Sequence, residues 1–276
     1  MGDGFSGKTA IVTGAASGIG RQIALQLGAA GTNVLVTDVA DGIDAVADEV
    51  TAAGGKAAAR KVDVSNRDAV ASAISDFVAE HGRLDLIFNN AGVAIFGEYE
   101  EVTLDDWDKI IDVNLKGVAY GSKLAYDQMV KQGGGHIVNT ASVAGLVPVP
   151  LQAHYVASKH AIVGLDKTLR IESARHNIHV TTFCPAFIET GMFETAKFKG
   201  RLKGVDAHTL VPIKPLGADK AVERLLEGVA KRKPIVITPF YGRLGWWIER
   251  YVPPLANFQH RMLHRETARR AKKQRR

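Results

Sequence analysis

Tyr155 and Lys159 are the two residues of this sequence best suited to proton transfer. They stand four positions apart in a stretch with helical patterning, so both side chains project from one face of the helix. A free tyrosine has a pKa of about 10, and a neighbouring ammonium group lowers that pKa towards neutrality, where acid–base catalysis is efficient. The spacing predicts a general acid/base pair, although an ordinary polar pair on a solvated helix face has the same spacing.

Two further polar residues are candidates for the same chemistry. Ser142 follows a predicted strand at residues 136–140, and active sites of parallel sheets lie beyond the carboxyl ends of their strands. Its hydroxyl can hydrogen-bond a substrate oxygen and stabilise charge that develops there. Asn114 lies inside a predicted helix, where the alternative to a functional role is a hydrogen bond to nearby backbone.

His154 and His160 flank the pair and raise the possibility of a Ser-His hydrolase. No Gly-x-Ser-x-Gly motif accompanies them, and no His-Glu-x-x-His or clustered carboxylate motif indicates a metal site. As direct neighbours of Tyr155 and Lys159 they point about 100° away from that helix face. The sequence therefore predicts surface histidines and no metal.

A glycine-rich turn, Thr13-Gly-Ala-Ala-Ser-Gly-Ile-Gly20, comes directly after the first predicted strand and opens a helix. Strand, glycines and helix in this order are typical of dinucleotide-binding sites. Glycines permit a tight turn, and the helix N-terminus offers free N–H groups to a pyrophosphate. The predicted contacts are Gly14, Ser17, Gly18, Ile19 and Gly20. The alternative is a glycine-rich turn without a ligand.

Asp38 ends the second predicted strand, eighteen residues after Gly20. A carboxylate at this point accepts hydrogen bonds from the ribose hydroxyls of the adenosine half of a dinucleotide. A 2′-phosphate would meet like charge there, and no Arg or Lys at positions 15, 16, 39 or 40 compensates for it. The sequence predicts NAD(H) rather than NADP(H); a surface-loop aspartate without a ligand is the alternative.

The elements that must position these residues alternate along the chain from residue 8 to residue 239. Short β-branched runs predict seven strands, at residues 9–13, 33–38, 57–62, 84–88, 136–140, 179–183 and 234–237. Six helical patterns lie between them, at residues 18–30, 41–53, 66–81, 103–132, 152–176 and 217–231. Such alternation predicts a parallel sheet covered on both faces. We expect one doubly wound α/β Rossmann domain over residues 1–239 and a helical extension over 240–276.

With these motifs in order, the chain resembles the short-chain dehydrogenase/reductase family from about Lys8 to Pro239. The motifs that carry the resemblance are Thr13-Gly-x-x-x-Gly-x-Gly20, Asp63-Val64, Asn89-Asn-Ala-Gly92, Asn114, Ser142, Tyr155-x-x-x-Lys159, and Pro185 followed by Thr190. The resemblance implies that Ser142 orients a substrate carbonyl and that Tyr155 gives or takes the proton. It also implies that Lys159 holds the nicotinamide ribose and that Asn114 anchors a proton-relay water.

The resemblance implies further contacts with the cofactor. Asp63 and Val64 are expected to flank the adenine, and Ile188 and Thr190 to contact the nicotinamide amide. Asn89, Ala91 and Gly92 are expected to line the adenosine side and support the sheet. Asn90 and Pro185 are the remaining expected contacts. The family usually has glycine after this proline, whereas this chain has Ala186, so the backbone of the 186–190 loop is less free.

Specificity in the family lies in the loops that follow the strands, and here those loops are rich in apolar residues. The expected pocket residues are Val93, Ile95, Phe96, Leu146, Val147, Val149, Leu151, Phe187, Met192, Phe193 and Phe198. A largely apolar pocket predicts a hydrophobic secondary alcohol or its ketone, of steroid-like, retinoid-like or long-chain type. Ordinary core packing can account for half of these residues.

The 240–276 extension is unusual for the family. Apolar residues recur in it at helical spacing and are interleaved with arginines at 243, 250, 261 and 265. The apolar set is Leu244, Trp247, Ile248, Tyr251, Val252, Leu255, Phe258, Met262 and Leu263. Packing on the body or on a neighbouring subunit is the favoured interpretation, and contact with an anionic membrane surface is the alternative.

Charge and cysteine content exclude other classes of function. The net charge is +6, but residues 260–276 alone carry eight Lys/Arg and one Glu, so the rest is close to neutral and lacks the broad basic face of a nucleic-acid binder. The single cysteine, Cys184, allows no internal disulfide, and no stretch is long enough to span a bilayer. We expect a cytoplasmic protein, and the resemblance implies a homodimer or homotetramer.

These observations together predict an NAD(H)-dependent alcohol dehydrogenase or ketone reductase. The alternative is a catalytically silent NAD(H)-sensing or scaffold protein on the same fold. The complete set of Ser142, Tyr155, Lys159 and Asn114 favours an enzyme, because a pure binding module needs no activated phenol.

Overall fold

A central sheet of seven parallel strands organises the molecule. The computed structural model describes residues 4–192, 196–205 and 214–274. The strands of this sheet are β1 (Thr9–Thr13), β2 (Asn33–Asp38), β3 (Lys56–Lys61), β4 (Leu86–Asn89), β6 (Gly135–Thr140), β7 (Ile178–Pro185) and β11 (Ile235–Thr238). Their spatial order is β11-β7-β6-β4-β1-β2-β3, and every pairing is parallel.

Helices cover both faces of the sheet. The α-helices are α1 (Gly18–Ala29), α2 (Ile43–Ala52), α3 (Arg67–His81), α4 (Leu104–Ile110), α5 (Gly117–Gln132), α6 (Ala153–Ser173), α7 (Ala218–Ala230), α8 (Phe240–Tyr251) and α9 (Pro253–Gln274). Two short parallel pairs stand apart from the sheet: β5 (Ile95–Phe96) with β9 (Lys197–Phe198), and β8 (Ile188–Glu189) with β10 (Leu216–Gly217).

The inner strands of the sheet, such as β1, are buried on both faces, whereas the edge strand β3 is not. In β1, Val12 packs in one hydrophobic cluster with Ile23 of α1. Its neighbour Ile11 points the opposite way, into a second cluster with Phe77 of α3. Alternation of this kind follows from the two-residue period of a strand, and two covered faces explain why the strands read as continuous apolar runs.

The strand order reverses at β1, and this reversal determines where a ligand can bind. β1 pairs with β2 on one side and with β4 on the other. In doubly wound sheets the crevice beyond the carboxyl ends of strands at such a switch point is the usual binding site. The glycine-rich turn follows β1, and Ser142 follows β6 on the same edge.

The predicted fold is confirmed, with strand and helix boundaries within three residues of those observed. One predicted helix, 103–132, is interrupted: a π-helical segment over Ile111–Lys116 separates α4 from α5. Heptad-like apolar spacing does not distinguish a π-helical turn from an α-helical one, so the interruption is invisible in the sequence. Such turns are frequent at functional sites.

The predicted helical extension consists of α8 and α9, which pack against each other and against the body. His260 of α9 lies 2.9 Å from Glu249 of α8, and His264 lies 2.9 Å from Glu98 of the body. Ala256 is buried, as is Thr267. The boundary at residue 239 stays a prediction. In the part of the chain that the structure describes, no helix combines the length and apolarity needed to cross a membrane.

Candidate functional site

A cavity of about 870 Å³ opens at the carboxyl ends of the sheet strands. The predicted catalytic and cofactor-contact residues that line it are Gly14, Ser17, Gly18, Ile19, Asp38, Asn90, Ala91, Gly92, Ser142, Tyr155, Lys159, Pro185, Ile188 and Thr190. Asp63 and Val64 line a smaller adjoining pocket of about 140 Å³, which also contacts Asp38. Gly20 and Asn114 line neither, so the structure brings together most, but not all, of the predicted residues.

The glycine-rich turn is packed too closely against its neighbours to carry side chains. Gly14 has a φ of +65°, and a methyl group added to it would lie 2.6 Å from Cα of Ala91. A methyl group at Gly20 would lie 2.0 Å from the carbonyl oxygen of Gly14. Gly20 therefore closes the turn from beneath, while Gly14 and Gly18 form the surface that faces the cavity.

Thr13 attaches the segment after β4 to the glycine-rich turn. Its hydroxyl oxygen accepts hydrogen bonds from the backbone N–H groups of Asn90 and Ala91, both at 3.0 Å. The Asn90 amide donates to the carbonyl oxygen of Gly14 at 3.2 Å. Asn89 was expected to line the cofactor site, but it does not line the cavity. Its side chain is buried in the protein and donates a hydrogen bond to Asn139 at 2.8 Å.

Asp38 lies at one end of the cavity, where its carboxylate accepts hydrogen bonds from three backbone N–H groups. Oδ2 accepts from Ala16 at 3.0 Å, and Oδ1 accepts from Val39 at 2.7 Å and from Ala40 at 3.1 Å. Among the described residues that line the cavity, Lys159 is the sole Lys or Arg, and it belongs to the Tyr155 helix rather than to this end. Lys109 lines the adjoining pocket that Asp38 also contacts, but no ion pair joins Asp38 to a Lys or Arg in the described part of the chain.

Asp63 has a local partner in the adjoining pocket. Its Oδ1 accepts hydrogen bonds from the Ser65 backbone N–H at 2.9 Å and the Ser65 hydroxyl at 2.7 Å. The hydroxyl bond lowers the pKa of the Asp63 carboxyl from its ordinary value of 3.8. Asp63 therefore stays ionised and holds the loop after β3 in a turn at the rim of this pocket.

Tyr155 and Lys159 project from the same face of α6, as the spacing predicts. The Lys159 ammonium nitrogen lies 5.5 Å from the centre of the Tyr155 ring and donates to the carbonyl oxygen of Thr140 at 2.8 Å. Both side chains are buried against the body and both line the cavity. This geometry excludes the alternative of a polar pair on a solvated helix face.

The predicted effect of Lys159 on the Tyr155 pKa is wrong for this structure. Burial raises the pKa of Tyr155 to about 12, and hydrogen bonding with Ser142 offsets this only in part. Burial likewise lowers the pKa of Lys159 to about 8. Removal of each group from water disfavours its charged form, and for Tyr155 this cost exceeds the lowering of the pKa by the Ser142 hydrogen bond. At neutral pH Tyr155 is therefore a protonated phenol.

Ser142 is positioned by the short turn that follows β6. Its hydroxyl accepts a hydrogen bond from the backbone N–H of Ala144 at 3.1 Å and donates to the carbonyl oxygen of Pro185 at 3.3 Å. The side chain thus spans the ends of β6 and β7 at the cavity wall beside Tyr155. A serine held in this way can present its oxygen to a polar atom in the cavity.

Asn114 lies in the π-helical segment and is fully buried. Its side chain accepts from the Val93 backbone N–H at 2.8 Å and donates to the Val93 carbonyl oxygen at 2.9 Å. It also lies beside Gly92, where a methyl group would come within 3.3 Å of Asn114 and 3.7 Å of the Lys159 ammonium. The backbone-bonding alternative therefore describes what the side chain does: it fixes the loop that covers Lys159.

A network of buried polar groups lies beneath the site, between α6 and the sheet. The Asn139 amide donates to Asp166 at 2.6 Å and to Ser122 at 3.0 Å. Burial raises the pKa of Asp166 from 3.8 to about 7, because ionisation inside the protein is costly. The folded protein thus binds a proton on Asp166 more tightly than the unfolded chain does.

We therefore expect the free energy of unfolding to depend on pH through Asp166. A raised folded-state pKa makes its contribution largest below pH 3.8 and progressively lost as pH rises towards about 7. Relative to Asp166→Asn, the wild-type value should fall by on the order of 2 kcal/mol between about pH 5 and about pH 8. Urea unfolding of both proteins measures it. Parallel pH profiles would show that Asp166 does not titrate in this range.

The substrate end of the cavity is apolar, but fewer of the predicted residues form it than expected. Those that line it are Phe96, Val149, Leu151, Phe187 and Met192. Ile95, Leu146 and Val147 are buried in the core, and Val93 lines the smaller pocket. Phe198 stacks on Phe96 with ring centres 5.0 Å apart and supports it from behind. Phe193 lies outside the described residues.

Helices α8 and α9 supply cavity residues that the sequence interpretation missed. Those residues are Tyr241, Gly242, Gly245, Leu263 and Thr267. The Tyr241 hydroxyl donates to the carbonyl oxygen of Phe187 at 3.5 Å, which connects α8 to the loop after β7. Spacing of the small residues opposite the apolar stripe could have indicated that this face of α8 packs closely, but not against which part of the body.

His154 is buried, which corrects the expectation of a surface residue. It is 1% exposed, and its ring centre lies 5.8 Å from that of Trp107. Burial lowers its pKa, so it is neutral. The expectation failed because α6 is covered on more than one side, so pointing away from Tyr155 does not mean pointing to solvent. His160 is exposed, as predicted, and bonds to the carbonyl oxygen of Val156 at 3.0 Å.

Comparisons with known proteins agree with this geometry. Residues 8–199 match the short chain dehydrogenase family. The chain is 40% identical over 204 residues to cyclohexanol dehydrogenase of Acinetobacter sp. (strain SE19), covering 71% of this chain and 80% of that protein. It is 34% identical over 235 residues to the 3-oxoacyl-(acyl-carrier-protein) reductase of Thermotoga maritima, covering 85% and 94%.

A solved structure is similar over nearly the whole chain. It is a short chain dehydrogenase/reductase from Burkholderia phymatum in complex with NAD, with a TM-score of 0.81 and 30% identity, covering 92% of this chain and 96% of that one. The match in sequence over most of the chain, together with the shared fold, decides the classification. This chain belongs to the short-chain dehydrogenase/reductase family of oxidoreductases.

Proposed function

We propose that this protein is an NAD(H)-dependent oxidoreductase that interconverts a hydrophobic secondary alcohol and its ketone. One observation carries the proposal: a single cavity has Asp38 at one end, Ser142, Tyr155 and Lys159 in its wall, and apolar residues at the other end. A dinucleotide and a small apolar substrate can therefore meet at the phenol.

The residues present fit NAD(H). Gly14 and Gly18 form a cradle that a side chain would fill, at the N-terminus of α1, where free N–H groups favour a pyrophosphate. Asp38 accepts hydrogen bonds from ribose hydroxyls but repels a 2′-phosphate. The structural relative with bound NAD supports this assignment. When bound, the nicotinamide supplies or accepts the hydride.

The protein's own side chains transfer the proton and hydrogen-bond the substrate oxygen. The protonated Tyr155 phenol donates its proton to the substrate oxygen during ketone reduction and accepts it back during alcohol oxidation. Ser142 hydrogen-bonds the same oxygen and stabilises its developing charge. Lys159 keeps an ammonium group near the phenol, stabilises the phenolate that forms on proton loss, and holds the nicotinamide ribose.

The lining at the far end indicates the substrate class. Phe96, Leu151, Phe187 and Met192 offer apolar contact and few hydrogen-bonding groups, so polar polyols and sugars would lose hydration without compensation. The similarity to a protein named cyclohexanol dehydrogenase is consistent with an alicyclic secondary alcohol.

A substrate panel tests the proposal. Cyclic, steroidal and long-chain secondary alcohols and ketones should turn over with NAD(H), followed by nicotinamide absorbance, with kcat/KM rising as apolar area is added. Small polyols and sugars should be turned over at least about a hundredfold less efficiently. Turnover restricted to polyols would contradict the substrate class, and turnover restricted to 3-oxoacyl thioesters would assign a reductase of a different substrate. No turnover at all, with NADH still bound, would favour a sensing protein.

A further inference from the structure

Helix α8 turns one apolar stripe to solvent while its other face lines the cavity. The exposed residues Phe240, Leu244, Trp247 and Tyr251 recur at intervals of four, three and four, which places them on one side of the helix. Trp247 is 54% exposed, and its ring centre lies 5.4 Å from that of Tyr251. Large aromatic side chains arranged in this way are a contiguous apolar surface rather than isolated exposed residues.

Helix α9 carries a second exposed apolar stripe. Leu255, Phe258 and Met262 recur at intervals of three and four, and Phe258 is 63% exposed. The opposite face of the same helix is anchored through buried Ala256 and Thr267. We name the exposed stripes of the two helices, Phe240, Leu244, Trp247, Tyr251, Leu255, Phe258 and Met262, the outer apolar surface.

Basic residues flank this surface, and acidic residues do not balance them. Arg243, Arg250, Arg261, Arg265 and Arg269 are all exposed, and none of them forms an ion pair with another described residue. The extension contains two carboxylates, and both have partners: Glu249 bonds to His260, and Glu266 to Arg270. The positive charge of these arginines therefore favours an anionic partner.

Helix α8 lies between the outer apolar surface and the cavity. Tyr241, Gly242 and Gly245 face the cavity from the same helix that exposes Trp247. Leu263 both lines the cavity and is partly exposed, next to Met262. An apolar molecule at this surface is thus separated from the cavity by the thickness of one helix.

We propose that the outer apolar surface docks on an anionic lipid bilayer, with α8 and α9 lying in the interface. Helices with aromatic and aliphatic side chains on one side and arginines beside them bind in this way, since apolar burial and attraction to anionic headgroups add together. The proposal concerns a surface rather than the reaction, so it can fail while the proposed function stands. The reverse also holds.

A second copy of the chain is the competing occupant. A symmetric contact through this surface would bring the exposed arginines of two copies together, and the extension has no free carboxylate to pair with them among its described residues. An anionic headgroup layer removes this repulsion. The charge arrangement therefore favours lipid over self-association.

Vesicle cosedimentation of the full chain tests the proposal. Phosphatidylcholine vesicles that contain phosphatidylglycerol should bind the protein about tenfold more tightly than vesicles of phosphatidylcholine alone, and added salt should reduce the difference. Trp247→Glu with Phe258→Glu should lower binding at least about tenfold. Arg243→Gln with Arg250→Gln should weaken the preference for anionic vesicles, and the basic residues of α9 should retain part of it.

Leu104→Glu is the matched control, because Leu104 is 81% exposed on α4 and lies outside this surface. It should leave vesicle binding unchanged, and circular dichroism should show all variants folded. Wild-type protein that does not bind anionic vesicles would overturn the proposal, as would equal losses in the control and the surface variants. A change of oligomeric state in light scattering, caused by the surface variants without loss of vesicle binding, would instead assign the surface to a second copy.

Discussion

Tyr155→Phe should lower kcat/KM for the best substrate by about a thousandfold while leaving NADH binding within a factor of about two. The phenylalanine ring keeps the packing of Tyr155 in its buried position, so the change removes the hydroxyl and little else. Without that hydroxyl the site loses the proton donor that hydrogen-bonds with Ser142. The measurement is steady-state kinetics with the substrate found in the panel, and NADH binding is followed by fluorescence.

Tyr99→Phe provides the matched control, because Tyr99 is 73% exposed and does not line the cavity. It makes the same chemical change and should leave kcat/KM unaltered. Thermal unfolding establishes that both variants remain folded. If Tyr155→Phe retained more than about a tenth of the wild-type kcat/KM, Tyr155 would lose its assigned role as proton donor.

The direction of the Tyr155 pKa shows what spacing alone can and cannot predict. Four-residue separation on a helix determines that Tyr155 and Lys159 share a face, and the structure confirms it. How much water each group retains depends on residues from other elements, such as Thr140, which receives the Lys159 hydrogen bond. Burial reverses the predicted shift for Tyr155, so the phenol is an acid first and a base only after it has given up its proton.

Local patterns predicted the fold well because the strands are short, apolar and separated by strong turn signals. β1 and the glycine-rich turn illustrate this, since strand, turn and helix are contiguous and each depends on its own residues. The environment of Asn114 was harder to predict, because the π-helical segment that contains it has the same apolar spacing as an α-helix. Its bonds to Val93 depend on a loop twenty-one residues away.

Contacts between residues far apart in the sequence also limited the prediction for the 240–276 extension. Amphipathic spacing predicted helices and an apolar stripe, and both are present in α8 and α9. Which side faces the cavity depends on contacts such as His264 with Glu98, which joins residues 166 positions apart. No local pattern contains that pairing, so Leu263 and Thr267 were absent from the predicted cavity lining.

Asp38 should make the protein prefer NAD(H) over NADP(H) by about a hundredfold or more in kcat/KM. A phosphate placed within about 4 Å of a carboxylate that forms no ion pair, in a partly buried site, is opposed by roughly 3 kcal/mol, which corresponds to that ratio. Asp38→Asn removes the charge and keeps the shape, so the NADP(H) value should rise and the ratio should fall about tenfold. Adding Val39→Arg, which places a cation at this exposed position, should bring the ratio close to one.

Asp41→Asn is the control that shows whether the cofactor preference depends on the Asp38 carboxylate or on any nearby negative charge. Asp41→Asn makes the same chemical change three residues further on, at a side chain that is 93% exposed, paired with Lys61 and outside the cavity. It should leave the preference unchanged. In Asp38→Asn the amide side chain keeps one acceptor for the three N–H groups that Asp38 now holds, so a small loss of stability, about 1 kcal/mol, is expected and should be measured by thermal unfolding. Wild-type rates with NADP(H) equal to those with NAD(H) would show that the carboxylate serves the turn and not the cofactor.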